Sequence, residues 1–202
     1  MIIYAAIMPH APILLPKIGT AQDRQRAKNT IKAMEKIGEE LKNKKFDEII
    51  ISSPHEDWGF NVPLQFAAPG FNGKVNKILT GFEPPKEYFK IGQNQAKSLD
   101  ANKKYILIAS GDLSHRLKEG GPYGFHEQGP KFDQELIENL KKESFEALFN
   151  LEAKYPEAGD CGLRSFCFIL GILKALKTRI EPVILSYEGP FGVGYLVARL
   201  LK

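Results

Sequence analysis

Residues 46–55 read FDEIIISSPH, an apolar strand-forming run that stops at serine, proline and histidine. Two other stretches have the same form: residues 1–10 read MIIYAAIMPH, and residues 105–115 read YILIASGDLSH. Short apolar runs without polar alternation are typical of strands buried on both faces, as in parallel sheets. Amphipathic patterns separate these runs, so the sequence predicts an α/β fold in which helices flank a layered, mostly parallel sheet.

The rest of the chain extends this pattern without a repeat or a linker. Thr20 is placed to cap the first helix, and Pro63 with the glycines that follow predicts loop and short-strand structure over residues 59–82. The sequence therefore predicts one domain over residues 1–202. Helices are predicted over about residues 20–44, 85–100, 131–153 and 163–176, and final strands over 182–187 and 193–200.

Composition narrows the class of protein. The chain has 202 residues, 43% of them hydrophobic, which excludes a disordered, collagen-like or disulfide-dense protein. The net charge of +4 is spread among acidic residues, so no nucleic-acid partner is expected. No membrane span or signal peptide is predicted, and Cys161 and Cys167 are expected to be buried free thiols. A cytoplasmic location is the expectation.

The four histidines, His10, His55, His115 and His126, all fall outside the predicted helices and strands. Three of them follow the three apolar runs, and ligand sites of open α/β sheets lie beyond the carboxyl ends of the strands. A proline precedes His10 and His55, which stiffens the backbone that carries each ring. Two imidazoles with one carboxylate are the ligands of many non-haem Fe(II) enzymes, and Zn²⁺ uses a similar set.

Four segments, MPHAP, SSPH, SGDLSHRL and GPYGFHEQGPKFD, together resemble the class III extradiol dioxygenases. This is the family of the catalytic subunit of protocatechuate 4,5-dioxygenase. The similarity is greater to a compact branch that accompanies AMMECR1 domains and is related to the Memo proteins. The resemblance spans essentially the whole chain and implies a single catalytic domain of that fold.

The resemblance also implies roles for the histidines. His10 and His55 match the two metal-binding histidines, and His115 matches the acid/base residue beside the metal. His126 lies in the segment of the compact branch that contacts substrate or supports the site, and is a second catalytic candidate.

The third metal ligand has several candidates. The dioxygenases use a carboxylate near the start of a late helix, where Memo proteins have a cysteine. Asp160 is the best-placed carboxylate here, with Cys161 beside it and Glu157 nearby. Asp160 is equally well placed to cap the following helix. Glu188, at the end of a predicted strand, is the alternative third ligand.

The first functional hypothesis is an Fe(II)-dependent extradiol dioxygenase that opens a catechol-type ring with O₂. Trp58 and Arg116 are candidate substrate-binding residues, through stacking and through pairing with a carboxylate. Asp112 and Ser114 are candidates to orient His115.

Two other functions stay open at this point. One is a Memo-like protein that binds a metal or ligand without turnover, as an accessory of an AMMECR1 and radical-SAM system. The other is zinc-dependent hydrolysis at the same histidines. The resemblance to the class III extradiol dioxygenases and the apolar final strands also favour a homodimer.

Overall fold

The apolar runs form the centre of a six-stranded sheet in the computed structural model, which describes residues 1–201. The strand order is β3-β2-β4-β1-β6-β5. The first four of these are mutually parallel, β6 is antiparallel to β1, and β5 is antiparallel to β6. The predicted α/β class is therefore confirmed. The strands are β1 Ile2–Met8, β2 Glu48–Ser53, β3 Lys74–Leu79, β4 Tyr105–Ser110, β5 Val183–Glu188 and β6 Tyr195–Arg199.

Helices cover both faces of the sheet, and each face has its own apolar core. On one face, Leu107 of β4 packs in a cluster with Phe166 and Phe168; on the other, Ile106 packs with Met34 and Ile37. Neighbouring strand residues therefore point to opposite cores, as strand geometry requires. The helices are α1 Ala21–Arg26, α2 Lys28–Lys42, α3 Trp58–Ala67, α4 Pro85–Lys97, α5 Gln128–Lys141, α6 Leu151–Lys154 and α7 Leu163–Ala175.

The structure corrects two of the predicted helical boundaries. Thr20 does form a capping box with Asp23, but the helix it caps ends at Arg26, and α2 begins at Lys28 after a kink at Ala27. The loop and short-strand structure predicted over residues 59–82 was wrong at its start, where α3 continues through Pro63, but the short strand β3 does lie in that range. Burial of Phe60 and other apolar side chains of α3 outweighs the low helix propensity of an interior proline.

The cysteines agree in part with the expectation of buried free thiols. Cys161 and Cys167 are both free thiols; Cys167 is buried within α7, whereas Cys161, just before that helix, is only partly buried. Within residues 1–201, no helix has the length and apolar character that crossing a membrane requires.

Candidate metal centre

Three histidines meet at one rim of the sheet. His10, His55 and His115 follow the carboxyl ends of β1, β2 and β4, which are adjacent and parallel. The ring centroids of His10 and His55 are 5.1 Å apart. The predicted convergence of imidazoles from separate loops is therefore found.

Among the described residues, five side chains that could bind a metal form two overlapping groups. His10, His55 and Cys161 form one group, and Asp112, His115 and Cys161 form the other; within each group the ligand atoms lie within 4.8 Å of one another. Two ligands of one ion, at roughly 2.0–2.3 Å each, are at most about 4.6 Å apart. The spacing and the donor types of both groups are thus close to those of a transition-metal site.

A close contact between two glycines brings Cys161 to the histidines. A Cβ on Gly111 would lie 2.2 Å from the Cα of Gly162, so the end of β4 touches the segment before α7 backbone against backbone. The amide of Gly162 donates to the carbonyl of Asp112 at 2.9 Å. As a result the Sγ atom of Cys161 lies 3.5 Å from Nε2 of His10.

The His115 ring is held so that one nitrogen faces the site. Its Nδ1 atom contacts the carbonyl oxygen of Gly159, which can only accept, so Nδ1 carries the ring proton. Nε2 of the neutral ring is then the atom with a free lone pair. A neutral imidazole with a defined free nitrogen can bind a metal or accept a proton from a ligand.

Burial dominates the electrostatics of the cluster. It raises the pKa of Asp112 to about 6. The amide of His10 donates to the Asp112 carboxylate at 3.1 Å, and this hydrogen bond acts in the opposite direction, lowering the pKa. Burial also lowers the pKa of His115 and raises that of the Cys161 thiol well above its ordinary value. Without a cation the site thus favours neutral side chains. A bound divalent ion would instead favour the charged forms of Asp112 and Cys161.

The two carboxylates predicted as third ligands have other partners. Asp160 accepts a hydrogen bond from the amide of Leu163 at 3.0 Å. This is the helix-capping interaction that the sequence offered as the alternative role of Asp160. Glu188 accepts from the amide and hydroxyl of Thr30, at 2.8 and 2.7 Å, near the start of α2. Neither belongs to the two groups above, whereas Cys161 belongs to both.

Two of the remaining predicted residues lie in the loop between β4 and α5. His126 is outside them and accepts, at Nδ1, from the amide of Gln128 at 3.3 Å at the start of α5. Arg116 follows His115, and its buried Nε has no hydrogen-bond partner among residues 1–201.

Two aromatic side chains flank the histidines. The predicted Trp58 is half-exposed, and its ring centroid is 5.4 Å from that of His55. Tyr123, which sequence reasoning missed, meets His115 edge-on at 5.1 Å. An aromatic residue within the glycine-rich GPYGFH segment was the available signal for it.

Fold and site define an α/β protein with imidazole, thiol and carboxyl groups gathered at the carboxyl rim of its sheet. Residues 55–198 match the family described as the catalytic LigB subunit of aromatic ring-opening dioxygenase. The match covers most of the chain, and the chain belongs to this family.

One sequence relative and one solved structure are also similar to this chain. Protein CA_C1420 of Clostridium acetobutylicum is 32% identical over 266 aligned positions, which include 96% of this chain. The chain spans 56% of the length of that relative. The crystal structure of the uncharacterized protein JW3007 from Escherichia coli K12 superposes with a TM-score of 0.61 at 13% identity, over 98% of this chain and 99% of that one, which shows the shared fold.

Proposed function

We propose that this chain is a metal-dependent ring-opening dioxygenase of the extradiol type, acting on a catechol-type aromatic. The observation that carries the proposal is the meeting of His10, His55, Cys161, Asp112 and His115 at one rim, in a member of the LigB family. His10, His55 and Cys161 are the proposed ligands of Fe(II), with Asp112 as the nearby carboxylate. When bound, the metal would acidify a coordinated phenol and provide a position for O₂.

The side chains around the ligands are suited to an aromatic diol. His115 presents Nε2 as a base, and the lowered pKa of its ring favours the proton-accepting form at neutral pH. Trp58 and Tyr123 lie against His55 and His115, and their ring faces and edges suit a planar substrate. Arg116 stays a candidate for pairing with a substrate carboxylate.

Anaerobic loading with Fe(II), followed by a panel of catechols and air, tests the proposal. We expect O₂ uptake and a yellow ring-opened product, both lost in His55→Ala. His115→Gln should keep the metal and slow product formation, because glutamine cannot serve as a base. Asp160→Asn is the matched control and should remain active. A fully loaded protein that consumes no O₂ with any catechol would overturn the proposal.

Cys161 favours a second candidate, a Memo-like metal-binding accessory without turnover, for which an AMMECR1-domain protein would be the partner. Thiol ligands select Zn²⁺ or Cu(I), whereas the non-haem Fe(II) enzymes named above use a carboxylate. Competition between Fe(II), Zn²⁺ and Cu(I) distinguishes the two. Strong preference for Zn²⁺ or Cu(I), with no O₂ uptake in the Fe(II) form, would support the accessory function.

A further inference from the structure

Ser110, the last residue of β4, lies beneath His10 and has no part in the function proposed above. It is fully buried, and its Oγ atom is 3.1 Å from Nδ1 of His10. The same hydroxyl contacts the carbonyl oxygen of Gly59. A carbonyl oxygen only accepts, so the one hydrogen of Ser110 is donated to Gly59. Toward His10, Ser110 can therefore act only as an acceptor, and Nδ1 must carry the proton.

The opposite nitrogen of His10 shows why such an acceptor matters. Nε2 lies 3.5 Å from Sγ of Cys161 and 3.9 Å from Oδ2 of Asp112. Both are acceptors that attract an N–H, and a proton on Nε2 would occupy the lone pair that a metal needs. A neutral imidazole carries a single proton, on one of its two nitrogens. Asp112 and Cys161 favour a proton on Nε2, whereas Ser110 favours a proton on Nδ1.

The Gly59 carbonyl is available to Ser110 because of the sequence of α3. In a regular helix this carbonyl would accept from the amide four residues later, which is position 63. Proline at that position has no N–H. The interior proline of α3 thus leaves an unpaired carbonyl at the first turn, next to the hydroxyl that needs an acceptor.

We propose that Ser110 is a positioning residue that holds His10 in the Nδ1–H tautomer and keeps Nε2 free toward the metal position, with the Gly59 carbonyl fixing the Ser110 hydroxyl. The assignment rests on the proposed function in one respect, that His10 is a metal ligand. The tautomer itself is a property of the metal-free protein and is measured there.

Long-range ¹H–¹⁵N spectra of the metal-free, histidine-labelled protein at pH 7 test the tautomer. We expect a protonated Nδ1 and an unprotonated Nε2 for His10 in the wild type. Ser110→Ala should move a major share of the proton to Nε2. Ser52→Ala is the matched control, since it removes another buried strand hydroxyl, one that donates to Ser165 at 3.1 Å, and should leave the His10 signals unchanged.

A wild-type His10 protonated at Nε2 would overturn the proposal, and so would a Ser110→Ala protein that keeps the wild-type tautomer. Where Ser110→Ala does not fold, a wild-type His10 protonated at Nε2 still overturns the proposal.

Zn²⁺ titration of the same proteins gives a second measurement. Ser110→Ala should bind about 10–100-fold more weakly than Ser52→Ala, and equal affinities would count against a role toward the metal. A wild-type protein with the expected tautomer and no affinity for Zn²⁺ or Fe(II) would overturn the proposed function, while the tautomer result stood.

Discussion

Two adjacent residues with different surroundings, Asp160 and Cys161, are the candidates for the third ligand of the proposed metal centre. Asp160 caps the amide of Leu163, whereas the sulphur of its neighbour Cys161 lies 3.5 Å from Nε2 of His10. The carboxylate was the first choice from the family pattern, and the thiol is the group that the fold brings to the histidines. If Cys161 rather than Asp160 is the third ligand, the expected metal preference changes, because thiol and carboxylate ligands select different ions.

Substitution of each residue separates the two candidates. We expect Cys161→Ala to lower the affinity for Zn²⁺ at least about tenfold, since a coordinating thiolate is lost. Asp160→Asn should leave the affinity unchanged, because asparagine keeps an acceptor for the Leu163 amide. Calorimetric titration under reducing, anaerobic conditions measures both. A loss of affinity confined to Asp160→Asn would assign the third ligand to the carboxylate instead.

Asp133 is a buried carboxyl that supports the loop before His115. It accepts from the amide of Ser114 at 2.8 Å and from the hydroxyl of Tyr187 at 2.6 Å. Burial raises its pKa to about 7, although both hydrogen bonds lower it. An unfolded Asp titrates near pH 3.9, so between about pH 4 and 7 the folded state holds a proton that the unfolded state has released.

The contribution of Asp133 to stability should therefore fall as the pH rises through this window. Asp133→Asn lacks the titrating group but keeps an acceptor for Ser114. We expect the free energy of unfolding of Asp133→Asn, relative to wild type, to rise by on the order of 1–3 kcal/mol from pH 5 to pH 8. Urea unfolding at several pH values measures this difference. A difference that does not vary with pH would show that Asp133 has an ordinary pKa.

At the scale of elements, α3 is where sequence reasoning failed and where the structure is most informative. Pro63 and the glycines beyond it predicted a loop, because an interior proline removes a helical hydrogen bond. The helix forms nevertheless, since its apolar residues pack on the sheet and the freed Gly59 carbonyl accepts from Ser110. The sequence alone could not show that the Gly59 carbonyl has a hydrogen-bond donor in Ser110, because Ser110 belongs to a different element, β4.

Pro63→Ala tests this relation between α3 and β4. The new amide would donate to the Gly59 carbonyl and compete with Ser110, so we expect the Zn²⁺ affinity to fall severalfold. The unfolding temperature should not fall, because alanine favours a helix interior over proline. Pro85→Ala is the control, since Pro85 is in the first turn of α4, where its N–H would have no helical partner. A parallel loss of affinity and stability would instead indicate a packing role for Pro63.

At the scale of the whole molecule, the sequence could predict the part of the site that is set by strand order. The apolar runs before His10, His55 and His115 define three parallel strands, and their shared rim follows from topology. The position of Cys161 could not be predicted in this way. It depends on how the segment before α7 approaches the end of β4. This contact joins segments about 50 residues apart, and in the sequence it is marked only by isolated glycines, in SGD (110–112) and DCG (160–162).

Gly111 is the residue on which this long-range contact depends most. A Cβ there would lie 2.2 Å from the Cα of Gly162, so Gly111→Ala must push backbone from backbone and separate Asp112 from Cys161. We expect a loss of about 1–3 kcal/mol in the free energy of unfolding, together with a larger loss of Zn²⁺ affinity than stability alone explains. Gly120→Ala is the matched control, because a Cβ at Gly120 meets no atom within 4 Å. Wild-type affinity in a destabilised Gly111→Ala would mean that the cluster assembles without this contact, and that Cys161 reaches the histidines by adjustment of its own loop.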